Sequence, residues 1–404
     1  MPDYFVGVDI SKYKHTCCII SGLGEVAKDS FDFANSRSGF EGIEAVLLTL
    51  GEKKSVHIMM EATGHYHQNL FRFLQSKGYA PQIKNPASIA RFKDSDDVGR
   101  AKTDRLDAKL IAIYALRHAI APSASPSYSI ERIRILERAK YFLYQDRART
   151  INHLHRYLDE SFPELVGFLA RDENGDKKAA GRNVFDSKTA LWLISNFPSA
   201  AMFASARSET AEKLRKMSRG SFSLMRFNAL REMAKASIGI NRDESNAVIR
   251  QLVEEFEAIS RRNDELDALL KPLIDAECPQ LLTIPGIGYR LAGMIIGEIG
   301  DASRFPSPDK LVRFAGLDVK VYQSGTVERH GKLGKRGSPL LRYALFQAAE
   351  KARIHCPEFA SFYAKKKAEG KHWICALTHT ARKMLRTIWS IMRSGQNYSP
   401  RETI

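Results

Sequence analysis

Residues 4–20 read "YFVGVDISKYKHTCCII", two short apolar runs on either side of the polar interval "SKYK". Val, Ile, Phe, Tyr and Thr favour a pleated, half-buried strand, and the polar interval suits a turn. The stretch predicts strand, turn and strand at the start of a sheet, with Asp9 closing the first strand.

The neighbouring sequence extends that sheet. "VAKDSFDF" (26–33) is a third candidate strand. "SRSGFEGIEAVLLTL" (36–50) offers a serine cap and then Phe40, Ile43, Val46, Leu47 and Leu50 at helical spacing. "VHIMMEA" (56–62) is a continuous apolar strand ending near Glu61, "YHQNLFRFLQSKG" (66–78) a helix closed by Gly78, and "APQIKN" (80–85) a final short strand. Together these predict an α/β domain over residues 1–125.

Beyond it the period changes. Ile133, Leu136, Leu143, Ile151, Leu154 and Leu158 predict a long helix. Ile249, Leu252, Phe256, Ile259, Asn263, Leu266, Leu270 and Leu273 alternate by three and four, a heptad seam. A polar Asn263 in that seam suits a register-setting position between chains, but an intramolecular helical hairpin accounts for the pattern equally well. Residues 126–278 are therefore read as a helical, coiled-coil region, interrupted by the polar insert "RDENGDKKAAGRN" (171–183). Residues 279–404 form a third, mainly α segment.

The formal net charge is +16, from 62 Lys or Arg against 46 Asp or Glu. Residues 301–404 hold 20 basic and 8 acidic residues, which supplies +12 of that excess and points to a polyanion partner for the C-terminal segment. There is no apolar run of membrane-spanning length and no signal-peptide pattern at the start, so a soluble, cytoplasmic chain without a membrane partner is expected. Five cysteines without a CxxC pair favour neither a disulfide framework nor a zinc site.

In "KTDRLDAKLIA" (102–112), Asp104 and Asp107 stand i, i+3 and share one helix face. A lone DxxD opening a helix is usually solvated and merely favours the positive end of the helix dipole. The combination with Asp9 and Glu61, each ending a strand, is more informative, because four acids in this order can converge at one sheet edge. Two like charges about 4 Å apart repel by roughly 4 kcal/mol at an effective dielectric of about 20, so such a cluster calls for cations. Oxygen-only ligands favour Mg2+, or Mn2+, and such ions can clamp the attacking and leaving oxygens of a phosphodiester. His65 and His67 diverge on a helix and are given a surface role.

In "LLTIPGIGYRLAGMIIGEIG" (281–300), Gly286 and Gly288 permit a tight turn between helices whose backbone N–H groups can hold a phosphate, although glycine helix caps look the same. Downstream, a Ser-Gly pair sits in a basic loop with Lys332, Lys335 and Arg336. A serine there could meet a phosphate, but most Ser-Gly pairs are simply turns. Trp373 and Trp389 lie among the last basic residues, and packing is the expected role of both.

These motifs, in this order, resemble the DEDD transposases of bacterial insertion sequences, whose RNA-guided members are called bridge recombinases and whose relatives include Piv-type invertases. The resemblance rests on "GVDISK", "MEATGHYH", "KTDRLDAKLIA", "IPGIGYRLAGMIIGEIG", and "VYQSGT" with "KLGKRGSPLLRYALFQAA". It implies an N-terminal RuvC-like domain of RNase H fold, a coiled-coil segment, and a C-terminal transposase domain with a helix-hairpin-helix-like element. It also implies that Asp9, Glu61, Asp104 and Asp107 bind magnesium and that Ser324 attacks DNA to form a phosphoserine link. Implied partners are double-stranded donor and target DNA, a structured noncoding guide RNA, and further copies of the chain in a dimer or tetramer. Two rivals remain at this level: a RuvC-like junction nuclease that uses the same acids to activate water, and a non-catalytic nucleic-acid-binding protein.

Overall fold

The computed structural model describes residues 3–62, 64–95, 103–118, 127–171, 183–324, 327–334 and 337–400. The chain divides into two compact units, Met1–Ser125 and Pro126–Ile404.

The first unit holds strands β1 (Tyr4–Asp9), β2 (Lys14–Ser21), β3 (Val26–Ala34), β4 (Val56–Glu61) and β5 (Gln82–Lys84). Its helices are α1 (Arg37–Leu48), α2 (His67–Ser76), α3 (Pro86–Ser95) and α4 (Asp104–Arg117). The sheet order is β3-β2-β1-β4-β5, with the first three strands antiparallel and β1, β4 and β5 parallel. The strands predicted from residues 4–33, 56–62 and 80–85 are all present, whereas α3 has no clear signal in sequence.

Because side chains alternate along a strand, each face of the sheet has its own core. Val6, Val8, Cys17, Ile19, Ile58 and Met60 pack with Phe40, Ile43 and Leu47 of α1 and Leu70 and Leu74 of α2. On the opposite face, Met59 packs with Leu110, Ile111 and Tyr114 of α4, and Cys18 and Ile20 with its Ala108 and Ala112. Gly7 lies under α4, where any Cβ would collide with the Ala108 carbonyl and the Ala112 amide. Only glycine lets helix and strand backbones approach this closely.

The second unit is built on two long helices, α5 (Tyr128–Ser161) and, after α6 (Pro163–Leu169), α7 (Lys188–Asn196), α8 (Ala200–Ala204), α9 (Ser208–Met217) and α10 (Leu224–Lys235), helix α11 (Asp243–Glu277). They run antiparallel, since Lys140 pairs with Asp267 near one end and Glu160 with Arg242 at the other. Ile249, Phe256, Ile259 and Leu270 of the heptad seam are buried within the chain, so the seam has the intramolecular hairpin as its partner. Asn263 donates to Asp267 at 3.3 Å, orienting the carboxylate that receives the buried Lys140. Most of the polar insert, 172–182, lies outside the described residues.

The remaining elements are α12 (Tyr289–Ile299), α13 (Pro308–Phe314), β6 (Val319–Ser324), β7 (Val327–Leu333), α14 (Pro339–His355), α15 (Pro357–Ala368) and α16 (Trp373–Ser394). One core runs from Ile130 and Ile133 of α5 and Leu270 and Ile274 of α11 through α12 to α16, so packing is continuous across the expected boundary at Pro279. Two expectations are corrected here. Pro279–Thr283 forms a 3-10 turn instead of the first helix of a helix–GIG–helix pair, because Pro279 and Pro285 leave too short an interval for an α-helix. The basic loop is an antiparallel hairpin of β6 and β7, since Val319, Val321 and Tyr322 supply β-prone residues that the basic composition masks.

Candidate active site

The geometry at Asp9 follows from period and register. Asp9 is two residues beyond Gly7, so it faces the α4 side of the sheet, beyond the point where Ala108 and Ala112 cross. One turn earlier on α4 stand Asp104 and Asp107, in a first turn capped by Thr103, whose hydroxyl accepts from the Leu106 amide at 3.3 Å. On the other side, the parallel register pairs Gly7 with Met59 and Val8 with Met60, which brings Glu61 beside Asp9. The acids thus gather at the carboxyl ends of two adjacent parallel strands, the edge where open α/β sheets bind ligands.

The electrostatics agree. The Asp9 carboxyl is pushed up to about 6, chiefly by burial and then by the negative charges of Asp104, Asp107 and Glu61. Lys93 of α3 is a cation in this field, its Nζ standing 3.0 Å from Asp107 Oδ1. Among the described residues, no three His, Cys, Asp or Glu side chains are grouped tightly enough to enclose a metal ion. The acids share one field, and the Asp107 end is held by Lys93. An all-carboxylate set fits a hard divalent cation better than a soft one. His65 is exposed, while His67 is half-buried and its imidazole pKa lowered by burial and by His65.

In the second unit Ser324 is the last residue of β6, its backbone in register with Val327. Lys332 lies on β7, and Lys335 and Arg336 lie outside the described residues. The base of this hairpin is clamped. The Gly334 amide donates to the Asp318 carbonyl at 2.9 Å, and Arg342 donates to the carbonyls of Gly337 and Ala315 at 2.9 and 3.2 Å. Ser338 donates to Glu298 at 2.7 Å, and Arg138 grips the same carboxylate through Nε and Nη2 at 2.9 and 3.3 Å. Burial alone would raise the Glu298 pKa, but the bonds from Arg138 and Ser338 outweigh it and hold it low. Sequence reasoning misses Glu298, although a lone acid inside the apolar helix "LAGMIIGEIG" is a usable signal.

Gly286 has φ +95°, and a Cβ there would press on Lys351 and Ala352 of α14, so its role is close packing. Gly288 caps α12 and faces open space. Trp389 packs as expected, donating to the Phe305 carbonyl at 3.1 Å. Trp373 does not, being 52% exposed at the start of α16.

The two ends of the chain place it among the transposases. Residues 6–163, which include all four acids, match a family model described as a transposase of the DEDD, IS110 type, and residues 278–364, which include the hairpin, match one described as a transposase of the IS116/IS110/IS902 family. The chain belongs to this IS110-type transposase family. It is 27% identical to an uncharacterized 43.6 kDa protein of insertion element IS110 from Streptomyces coelicolor, over 75% of this chain and 73% of that one. It is 25% identical to an uncharacterized 42 kDa protein of insertion element IS900 from Mycobacterium paratuberculosis, over 99% and 98%. It is 22% identical to a pilin gene-inverting protein of Moraxella lacunata, over 99% of both chains. Among the described residues, no helix is long and apolar enough to cross a membrane.

Proposed function

We propose that this protein is the recombinase of an insertion sequence, cutting and rejoining donor and target DNA through a covalent phosphoserine intermediate. The observation that carries the reading is the convergence of Asp9, Glu61, Asp104 and Asp107 on one sheet edge, where burial and then the charges of the other three raise the proton affinity of Asp9. The sheet order β3-β2-β1-β4-β5 supports reading this unit as a RuvC-like domain of RNase H fold.

In this reading the four acids hold Mg2+ or Mn2+, which would supply charge stabilisation to a pentavalent phosphorus. The chain's own residues do the rest. Asp9 and Glu61 present their oxygens from rigid strand ends, and Asp104 and Asp107 from a capped helix turn, so little reorganisation is needed. Lys93 pairs with Asp107, and a cation held by Asp107 would compete with it. Ser324 Oγ forms a bond to phosphorus as the P–O bond to the departing strand end breaks, and the serine proton is given up as the strand-end oxygen gains one. The phosphodiester energy is kept in the phosphoserine and returned when a new strand end attacks. The clamp of Glu298, Ser338 and Arg342 fixes the base of the serine hairpin. Further copies of the chain would join serine and acids in one assembly, and a structured noncoding RNA would choose the sites by base pairing.

The test uses full-length protein, its candidate guide RNA and plasmids carrying the element junction. Wild type should give recombinant product and a protease-sensitive protein–DNA adduct in Mg2+, and Ser324→Ala should give neither. Strand cleavage retained by Ser324→Ala with no adduct would replace this reading with water attack by a nuclease. Recombination unaffected by Asp104→Asn would remove the acids from the mechanism.

A further inference from the structure

Trp373 calls for an explanation that packing does not provide. It is 52% exposed and its neighbour Ile374 48%, at the point where α15 turns into α16. Between Lys365 and Arg386 the chain carries seven Lys or Arg and a single acid, Glu369. That acid is shared by Lys366 at 2.7 Å and Lys371 at 3.4 Å, so it neutralises only part of the cluster. Further along α16, Lys383 and Arg386 are paired with Glu358 and Asp309. Lys367 donates to the Lys371 carbonyl at 3.3 Å, closing the turn two residues before Trp373. The imidazole of His379 is pushed down first by burial and then by Arg382, Lys366 and Lys371, so cations from both helices act on one place.

An exposed indole in a turn that carries four lysines and one acid is complementary to a polyanion that offers flat aromatic faces. Duplex nucleic acid satisfies only half of that description, since its base faces are stacked on one another and only their edges reach the grooves. Unpaired nucleotides satisfy both: base faces stack on aromatic side chains, and phosphates meet lysine.

We infer that the α15–α16 turn is a docking surface for a single-stranded stretch of nucleic acid, one unpaired base stacking on Trp373 and the adjoining phosphates meeting Lys365, Lys367 and Lys371. The inference rests on the proposed recombinase function only for where the strand comes from, since recombination unpairs DNA and a structured RNA carries loops. DNA and RNA strands share the chemistry that the surface recognises.

The experiment is fluorescence anisotropy on the full-length chain with labelled oligo(dT), oligo(U) and a duplex of equal length. Trp373→Ala should weaken single-strand binding about tenfold, the size of one base stack, with little effect on the duplex, and Trp373→Phe should restore most of it. Joint replacement of Lys365, Lys367 and Lys371 by Ala should lower the salt dependence of log affinity by roughly 0.7 for each phosphate that is no longer neutralised. Tighter oligo(U) binding that depends on Trp373 assigns the surface to RNA, and tighter oligo(dT) binding to displaced DNA. Unchanged single-strand binding by Trp373→Ala, or an equal weakening for duplex, overturns the inference. An adduct-free wild type that still binds through Trp373 would defeat the proposed chemistry alone.

Discussion

Glu137 of α5 is 4% exposed, lies against the α12 backbone at Gly293, and has neither carboxylate oxygen hydrogen-bonded among the described residues. Its pKa is raised from 4.5 to about 7, mainly by burial, with Asp267 of α11 adding to the effect and Lys140 of α5 and Arg290 of α12 opposing it. A carboxyl whose folded pKa exceeds its unfolded value contributes stability in full below the unfolded value and loses it as pH rises through the folded one. The window therefore runs from about pH 4.5 to about pH 7, and the loss across it is about 3 kcal/mol, at 1.36 kcal/mol for each pKa unit. Glu137→Gln keeps the shape and removes the charge. At pH 8 the variant should be more stable than wild type by up to about 3 kcal/mol, and at pH 4 the two should nearly coincide. All three tryptophans, Trp192, Trp373 and Trp389, lie beyond Pro126, so their fluorescence follows urea unfolding of this unit alone. A difference between the two proteins that does not change with pH would refute the reasoning, since packing and hydrogen-bond effects act alike at both values.

Other perturbations probe the acidic edge and the serine hairpin. Gly7→Ala forces α4 off β1 and should cost the first unit about 1–3 kcal/mol, read as a lower thermal midpoint by circular dichroism. Asp9→Asn should raise the metal-free thermal midpoint at pH 7.5, because the raised pKa marks a charge held at a cost, while abolishing any stabilisation by added Mg2+. Lys93→Ala removes the cation that competes at Asp107, so Mg2+ should bind it more tightly by calorimetry; unchanged affinity would mean that Lys93 does not occupy the ion's place. Glu298→Ala should cost about 1–3 kcal/mol, the lower end being favoured because Arg138 is half exposed, and should slow recombination beyond its effect on unfolding.

Much of this molecule is legible in one dimension because its signals are local. The alternation along β1, β2 and β4, the Ser36 cap and the apolar spacing of α1 each depend on neighbours within a few residues, and each appears where the pattern places it. The four acids could be grouped in advance because strand ends and a first helix turn are positions that periodicity reveals. The basic composition of residues 320–336 hid a β-hairpin, since charge reports on solvent exposure and says little about strand pairing.

What local pattern left undecided depended on distant partners. The heptad seam on α11 carries the same spacing whether it meets a second chain or a helix of its own, and the choice fell to α5, more than a hundred residues earlier. Glu298 joins Arg138 and Ser338 from well-separated parts of the chain, and Lys93 meets Asp107 because a short helix without periodic signal crosses beside α4. Residue types and their periods set the elements and marked the candidate chemistry. Folding set the partners, because charge pairing and close packing depend on distance in space, which a sequence period encodes only within one helix or one strand.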